Sequence, residues 1–408
     1  MKLLLNKSLF WVSLVSAVAF LASINIYYLD LVISIPQTFF VYLRVTMIVV
    51  LGTLIVLYDR NPKRLNMFFY LILWFAVIFF SSVINDRNIR YMITNLSRCL
   101  LICVVYLYYM RDEKKQQVLL KTWKVLLIVL VVLDFVTMLK YPNGLYQTDL
   151  YTSNWFLGYK TARIVYTLPL MMITTYLDYI RYGRIKAYSF IILILCVINA
   201  YLSQATAGAV SLAVYVLLII FLEMAQKNSK YKKVLYALLQ VRNMLIIYSA
   251  IFVIVVLVDN NTVVSYIVEN VFGKSGDLTN RTGIWLYCIN AYLSKPIIGM
   301  GYLTTNEYIS LTHLAGGASP HNMVLSILVT AGLIGAISYI LLFYKSLKKK
   351  SREYEAAELS IVFAIIVTLL LGITSSAMVY AVFAYLPFIM IGARNGEGIN
   401  FNYRYIRK

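Results

Sequence analysis

Long apolar runs, broken at short intervals by charged or turn residues, constrain this chain more than any other feature. Twelve of them approach the roughly 20 residues that a helix needs to cross about 30 Å of hydrocarbon. They cover approximately 8–28, 38–58, 65–84, 91–110, 122–139, 163–180, 187–204, 206–224, 242–259, 321–343, 358–376 and 378–393. Such segments must satisfy their backbone polar groups internally, which leaves the helix as the spanning element. Composition agrees, with 61% apolar and 13% charged residues, against about 45–50% and 25% in soluble domains. These values exclude a soluble enzyme, a disordered chain and a secreted disulfide scaffold. The expected fold is therefore all-α: a polytopic membrane protein of about 12 transmembrane helices with one large extracytoplasmic loop. Residues 1–259 would hold helices 1–9 and residues 260–320 the loop. Residues 321–408 would hold helices 10–12 and a basic cytoplasmic tail. Lys2 and Lys7 before the first run resemble a signal peptide, but no small-residue cleavage site follows, so a retained first span is expected.

A formal net charge of +20 in so apolar a chain has to be located before it can be interpreted. Cytoplasmic loops of membrane proteins collect Lys and Arg. With the N-terminus inside, the inner segments carry 27 of the 37 basic residues, and Arg44 and Arg98 fall within spans. Both termini are then expected in the cytoplasm, and the charge carries no implication of nucleic acid. The four cysteines, Cys99, Cys103, Cys196 and Cys288, show no zinc-like spacing with histidine. The outer carboxylates are scattered, so neither a metal nor another cofactor is expected. Without a G-x-x-x-x-G-K-[ST] stretch, ATP-driven transport by this chain alone is not expected either.

The sixty-residue loop holds both histidines of the chain, His313 within it and His321 at its end. A short helix is expected over 281–294, starting after Thr279 or Asn280 and ending before Pro296. Helical spacing would put Ile284, Trp285, Cys288, Ile289 and Tyr292 on one side. Next comes Pro296-Ile297-Ile298-Gly299-Met300-Gly301, where the Gly-x-Gly reads as a tight turn against a helix. The loop closes on Pro320-His321-Asn322 and passes into an apolar helix that contains Gly332-Leu333-Ile334-Gly335.

Arg281 four residues before Trp285, the Pro-Ile-x-Gly-x-Gly turn, and His321-Asn322 opening a helix with Gly-Leu-Ile-Gly resemble the O-antigen ligase and polymerase (Wzy-like) superfamily. The likeness is strongest over roughly 280–340. It departs where many members have a Ser-Arg-Gly-like stretch and this chain has Ala205-Thr206-Ala207-Gly208. The resemblance implies a GT-C-like, metal-independent, inverting glycosyltransferase of the bacterial cytoplasmic membrane with an extracytoplasmic active site. Its substrates would be oligosaccharide repeats on polyprenyl (undecaprenyl) diphosphate, donor and acceptor alike. Its product would be capsule, exopolysaccharide or O-antigen, and its partners membrane lipids, a flippase and a chain-length regulator. His321 would be the general base and Arg281 would bind the diphosphate.

The residues themselves are compatible with an anionic donor. Charged groups inside apolar spans are costly and mark function by default. Arg44 and Arg98 would each lie roughly 10 Å below the outer surface, Arg163 starts the sixth span, and Asp134 comes to a similar depth from the fifth. Guanidinium holds its charge and binds phosphate oxygens in a bidentate manner, and a histidine near pKa 6.5 suits proton removal from a sugar hydroxyl. Candidate substrate-binding residues are thus Arg44, Arg98, Arg163 and Asn322. The bland readings stay open beside these. Arg281 pairing with Asp277, Arg44 or Arg98 pairing with Asp134 or snorkelling to headgroups, Arg163 as an interfacial anchor, and His313 as a structural residue all fit the same sequence. The leading function is polymerisation of lipid-linked repeats; ligation to another acceptor and repeat-unit flipping or transport are the alternatives.

Overall fold

The computed structural model describes residues 2–24, 26–32, 37–148, 153–240, 242–244, 246–250, 281–314, 319–347, 354–376, 379 and 381–393. Its helices are α1 (Lys2–Ser23), α2 (Tyr27–Val32), α3 (Gln37–Tyr58), α4 (Pro62–Ile84), α5 (Ile89–Tyr109) and α6 (Glu113–Lys140). A two-stranded hairpin, β1 (Asn154–Trp155) and β2 (Gly158–Tyr159), and a 3-10 turn over Lys160–Arg163 lead into α7 (Ile164–Tyr182). Then come α8 (Ala187–Leu202), α9 (Thr206–Lys227), α10 (Ser229–Leu238), α11 (Arg281–Ser294), α12 (Thr305–Thr312), α13 (Met323–Ser346), α14 (Ala356–Gly372) and α15 (Leu386–Gly392).

Six of these, α3, α4, α5, α6, α9 and α13, are long and apolar enough to cross a membrane, and each coincides with an expected span. The polar residues between runs start the helices as their chemistry dictates. Asn61 accepts from Lys63 N–H ahead of Pro62, Asn88 accepts from Tyr91 N–H, and Asp112 accepts from Lys114 and Lys115 N–H. Large apolar side chains such as Phe39, Phe69, Leu217 and Ile337 stand exposed on these helices, the inverse of a soluble bundle. The interior is built on α5, α7 and α14, whose middle turns are buried on every side. Around them α3 packs along α5, α13 along α4, α1 along α6, and α7 and α9 along α14.

The structure departs from the expected spans in places. The run expected over 8–28 is helical as far as Ser23, where α1 ends, and a second short helix, α2, begins at Tyr27. The span expected over 378–393 contains turns at 382–385 and only a seven-residue helix, α15, within the described residues. Most of the span expected over 242–259 lies outside the described residues, although 246–250 are helical. Two short helices, α10 and α12, sit where connecting segments were expected.

Contacts between loops agree with the alternation read from charge. Asp59, after α3, holds Arg64 at 2.8 Å and Arg111, after α5, at 3.5 Å, so these segments share one face. Burial would raise the Asp59 carboxyl, but the bonds from Arg64 and the Asn61 N–H and the charge of Arg111 outweigh it and hold it below the usual range. On the other face, Tyr28 packs against Tyr146 and Phe156, and the α4–α5 turn meets residues 295–307 through Arg87.

Candidate active site

The loop before α13 is held in place by a backbone junction that its glycines permit. At Gly332 (φ 59°, ψ −156°) the helix α13 is interrupted. The segment 296–301 enters the break: Met300 N–H donates to Val329 O at 2.6 Å and Gly301 N–H to Thr330 O at 3.0 Å. In return Leu333 N–H donates to Pro296 O at 2.9 Å and Ile334 N–H to Ile297 O at 3.2 Å. Gly299 crosses so close that a Cβ there would meet Ala331 N and Gly332 N at 2.6 Å; one on Gly332 would meet Ile297 O at 2.4 Å. The end of α4 completes the junction. Ser81 Oγ donates towards Ile298 O and Thr330 O, and Asn85 Nδ2 donates to Gly299 O. Tyr302 N–H donates to Ser82 Oγ. The Gly-x-Gly is thus a turn against a helix, as expected, and Gly332 is its other half.

Arg87 locks the same region from the α4–α5 turn. It donates from Nε to Met300 O at 2.7 Å and pairs with Glu307 at 2.8 Å. Glu307 also closes a capping box with Thr304 at the start of α12. Burial would raise the Glu307 carboxyl, but the Thr304 N–H and hydroxyl and Arg87 outweigh it and hold it below its ordinary pKa.

On this base α11 lies against α13 through Ile284, Trp285, Cys288 and Ala291, with Tyr292 partly covered. Ile289, expected on that side, is exposed; Ala291 at i+3 from Cys288 takes its place. The expected caps Thr279 and Asn280 lie outside the described residues. The Trp285 indole N–H donates to Pro320 O at 2.9 Å. That bond ties the helix carrying Arg281 to the residue before His321. His321 is half-buried with a left-handed backbone, φ 49°. Asn322 follows as the buried N-cap of α13. Its Oδ1 accepts from Leu325 N–H and its Nδ2 donates to Ile373 O at 3.1 Å, which links α14 to the start of α13.

Arg281 opens α11 one turn before Trp285 and is half-buried. Burial lowers its pKa, with no neighbouring charge among the described residues contributing. Asp277, the partner weighed from sequence, is outside the described residues. His313 ends α12 in a left-handed conformation and meets Tyr287 edge-on, its ring centroid 5.7 Å away. Both observations favour the structural reading of His313.

The other candidates form two further groups. Arg44 is buried and donates to Ser97 Oγ at 2.8 Å, Ala22 O at 2.7 Å and Thr94 O at 3.1 Å, joining α1, α3 and α5. Arg98, half-buried on α5, is near enough for the two charges to repel. Arg163 is fully buried and pairs with Asp134 at 2.8 Å. Asn199 Nδ2 and Leu157 N–H also donate to that carboxylate, and the guanidinium lies 4.8 Å from the Trp155 ring centroid. Asp134 therefore takes Arg163 rather than Arg44 or Arg98. Leaving one buried charge alone is far costlier than the pair. Replacing Asp134 with alanine is accordingly expected to cost about 3–5 kcal/mol, and adding Arg163→Met should recover part of it. Thermal unfolding of the two variants in detergent checks this, and equal midpoints would argue against the pair.

The family model for O-antigen ligase matches residues 191–340. Over those residues the chain is similar to the O-antigen ligase family, which supports the resemblance to the O-antigen ligase and polymerase superfamily. The match runs from α8 into α13, so it includes Arg281, the Gly299–Gly332 junction, His321 and Asn322, whereas Arg44, Arg98 and Arg163 precede it. Superfamily members are membrane enzymes of the glycosyltransferase kind acting on polyprenyl-linked glycans. No curated protein matches the chain. Sequence reasoning missed Arg87 and Glu307, whose link spans 220 residues and leaves no local trace. It also missed Asn199, which a polar residue inside an apolar run would have flagged.

Proposed function

We propose that this chain joins polyprenyl-diphosphate-linked oligosaccharide repeats into a surface polysaccharide on the extracytoplasmic face of the cytoplasmic membrane. The observation that carries the reading is Arg281: a half-buried guanidinium without a charged neighbour among the described residues, on a helix bonded through Trp285 to the backbone just before His321. A fixed cation of that kind suits a diphosphate, and a histidine next to the bonded Pro320 carbonyl suits a proton acceptor.

In this mechanism His321 removes the proton of an acceptor hydroxyl as its oxygen attacks the anomeric carbon of the donor. The bond from that carbon to the lipid diphosphate breaks, and the configuration inverts. Arg281 stabilises the charge that develops on the departing diphosphate. Asn322 acts through the cap it makes, holding His321 at the start of α13. Arg44 and Arg98 contribute positive field from α3 and α5, with Arg44 anchored by its protein bonds. Arg163 braces α6, α7 and α8 through Asp134. A flippase delivering repeats and a chain-length regulator are the partners that such a reaction calls for.

The test is incubation of purified protein with its lipid-linked repeat, without nucleotide or added metal, and sizing of the products. A ladder of repeats on the lipid carrier is expected. Transfer solely to a different glycolipid acceptor would make the enzyme a ligase. Movement of intact repeats across a bilayer without new glycosidic bonds would overturn the assignment.

A further inference from the structure

The face opposite the proposed catalytic site contains a recess that the reaction does not use. It has a volume of about 410 Å³ between α1 and the α5–α6 turn, and is lined chiefly by Trp11, Tyr108, Tyr109, Arg111, Asp112 and Lys115. Two cations there keep donors to spare. Arg111 spends Nη2 on Leu54 O at 2.9 Å and turns its buried Nε to Asp59 Oδ2 across 3.5 Å, which leaves others of its five N–H donors. Lys115 is 38% exposed, and its nearest carboxylate, Asp112, is 4.0 Å away. The Asp112 carboxylate is already directed at the first turn of α6, where it accepts from Lys114 and Lys115 N–H. The recess thus has net positive character, with aromatic walls.

Its apolar surroundings point the same way. Trp11 is 54% exposed at the mouth, and Leu14, Val18 and Leu21 continue from it along α1, all exposed. Their spacing puts them on one stripe about 15 Å long. A charged recess at one end of a membrane-facing stripe has the two-part chemistry of an amphiphile. We propose that it binds the phosphate headgroup of an anionic phospholipid, donated to by Arg111 and Lys115, with the acyl chains along Trp11, Leu14, Val18 and Leu21. Tyrosine and tryptophan at the mouth match the headgroup level, where amphipathic rings settle. The site is independent of the glycan reaction and stands whatever that reaction proves to be.

Native mass spectrometry of the full chain in detergent tests the proposal, with phosphatidylglycerol and phosphatidylcholine added at equal concentration. One phosphatidylglycerol should be retained per protein, in preference to phosphatidylcholine. Lys115→Glu should weaken retention about tenfold, whereas Lys121→Glu on an exposed turn of α6 should leave it unchanged. Trp11→Ala, at an exposed position, should weaken it without reversing a charge. Equal retention of the two lipids, an undiminished adduct in both Lys115→Glu and Trp11→Ala, or displacement by excess inorganic phosphate would overturn it. The last result would mark a site for a free anion.

Discussion

Cells carrying His321→Asn are expected to accumulate single lipid-linked repeats and to make no long polymer, with the protein still present in the membrane at normal level. Asparagine is the informative replacement because His321 has φ 49°, a conformation that asparagine tolerates and alanine pays for. The change leaves Asn322 free to cap α13 and removes only the imidazole. If that ring accepts the acceptor's proton, turnover should fall by roughly 10²–10⁴-fold, enough to abolish visible chain growth. His321→Ala should show the same loss with some added instability. Polymer of normal length in the asparagine variant would exclude His321 as the base, whereas loss of activity together with loss of protein would show that the residue supports the fold. Gel sizing of the glycan beside immunodetection of the chain separates these results.

Gly332→Ala is expected to lower stability strongly. The backbone there lies in a region accessible essentially to glycine alone, and the added carbon would stand 2.4 Å from Ile297 O. Neither contact partner is a flexible side-chain tip, so the 296–301 segment must leave the break in α13. The expected cost is about 3 kcal/mol or more, seen as a lowered unfolding midpoint in detergent. Gly299→Ala should behave alike, its Cβ meeting Ala331 N and Gly332 N at 2.6 Å. Gly183→Ala provides the contrast: its φ is also positive, at 66°, but nothing lies within 4 Å of the added carbon. That variant should lose only about 1–2 kcal/mol. Equal losses at Gly183 and Gly332 would mean that the junction adds nothing beyond backbone strain.

What was legible in the sequence was local. The apolar runs located most helices, Asn61-Pro62, Asn88 and Asp112 marked where three of them begin, and the order Arg281, Trp285, Gly299, His321 pointed to the superfamily. The short helix over 281–294 was expected, including most of its buried face. Long-range pairing was hidden. Nothing near Asp134 says that it will take Arg163 instead of Arg44 or Arg98; that choice depends on how α6, α7 and α8 meet. Arg44 was read as a substrate-binding candidate or a partner for Asp134, yet carbonyls of α1 and α5 and a serine of α5 occupy its nitrogens. Span boundaries failed where hydropathy does not report geometry: the apolar run continues past Ser23, where α1 ends, and α12 is short and largely polar.

The junction at Gly332 also has a consequence in time. Ser81 on α4 is bonded to Ile298 and Thr330, residues made more than two hundred positions later. When α4 leaves the ribosome, the surface that will fix residues 296–301 is only half built. The remaining donors and acceptors are those of α13 on either side of its break, the last of them at Ile334. Until that residue has been synthesised, α11 has no base on which to settle, and Trp285 cannot hold the Pro320 carbonyl before His321. The proposed catalytic arrangement is therefore a late product of synthesis, acquired when one of the final helices enters the membrane and closes on one of the first.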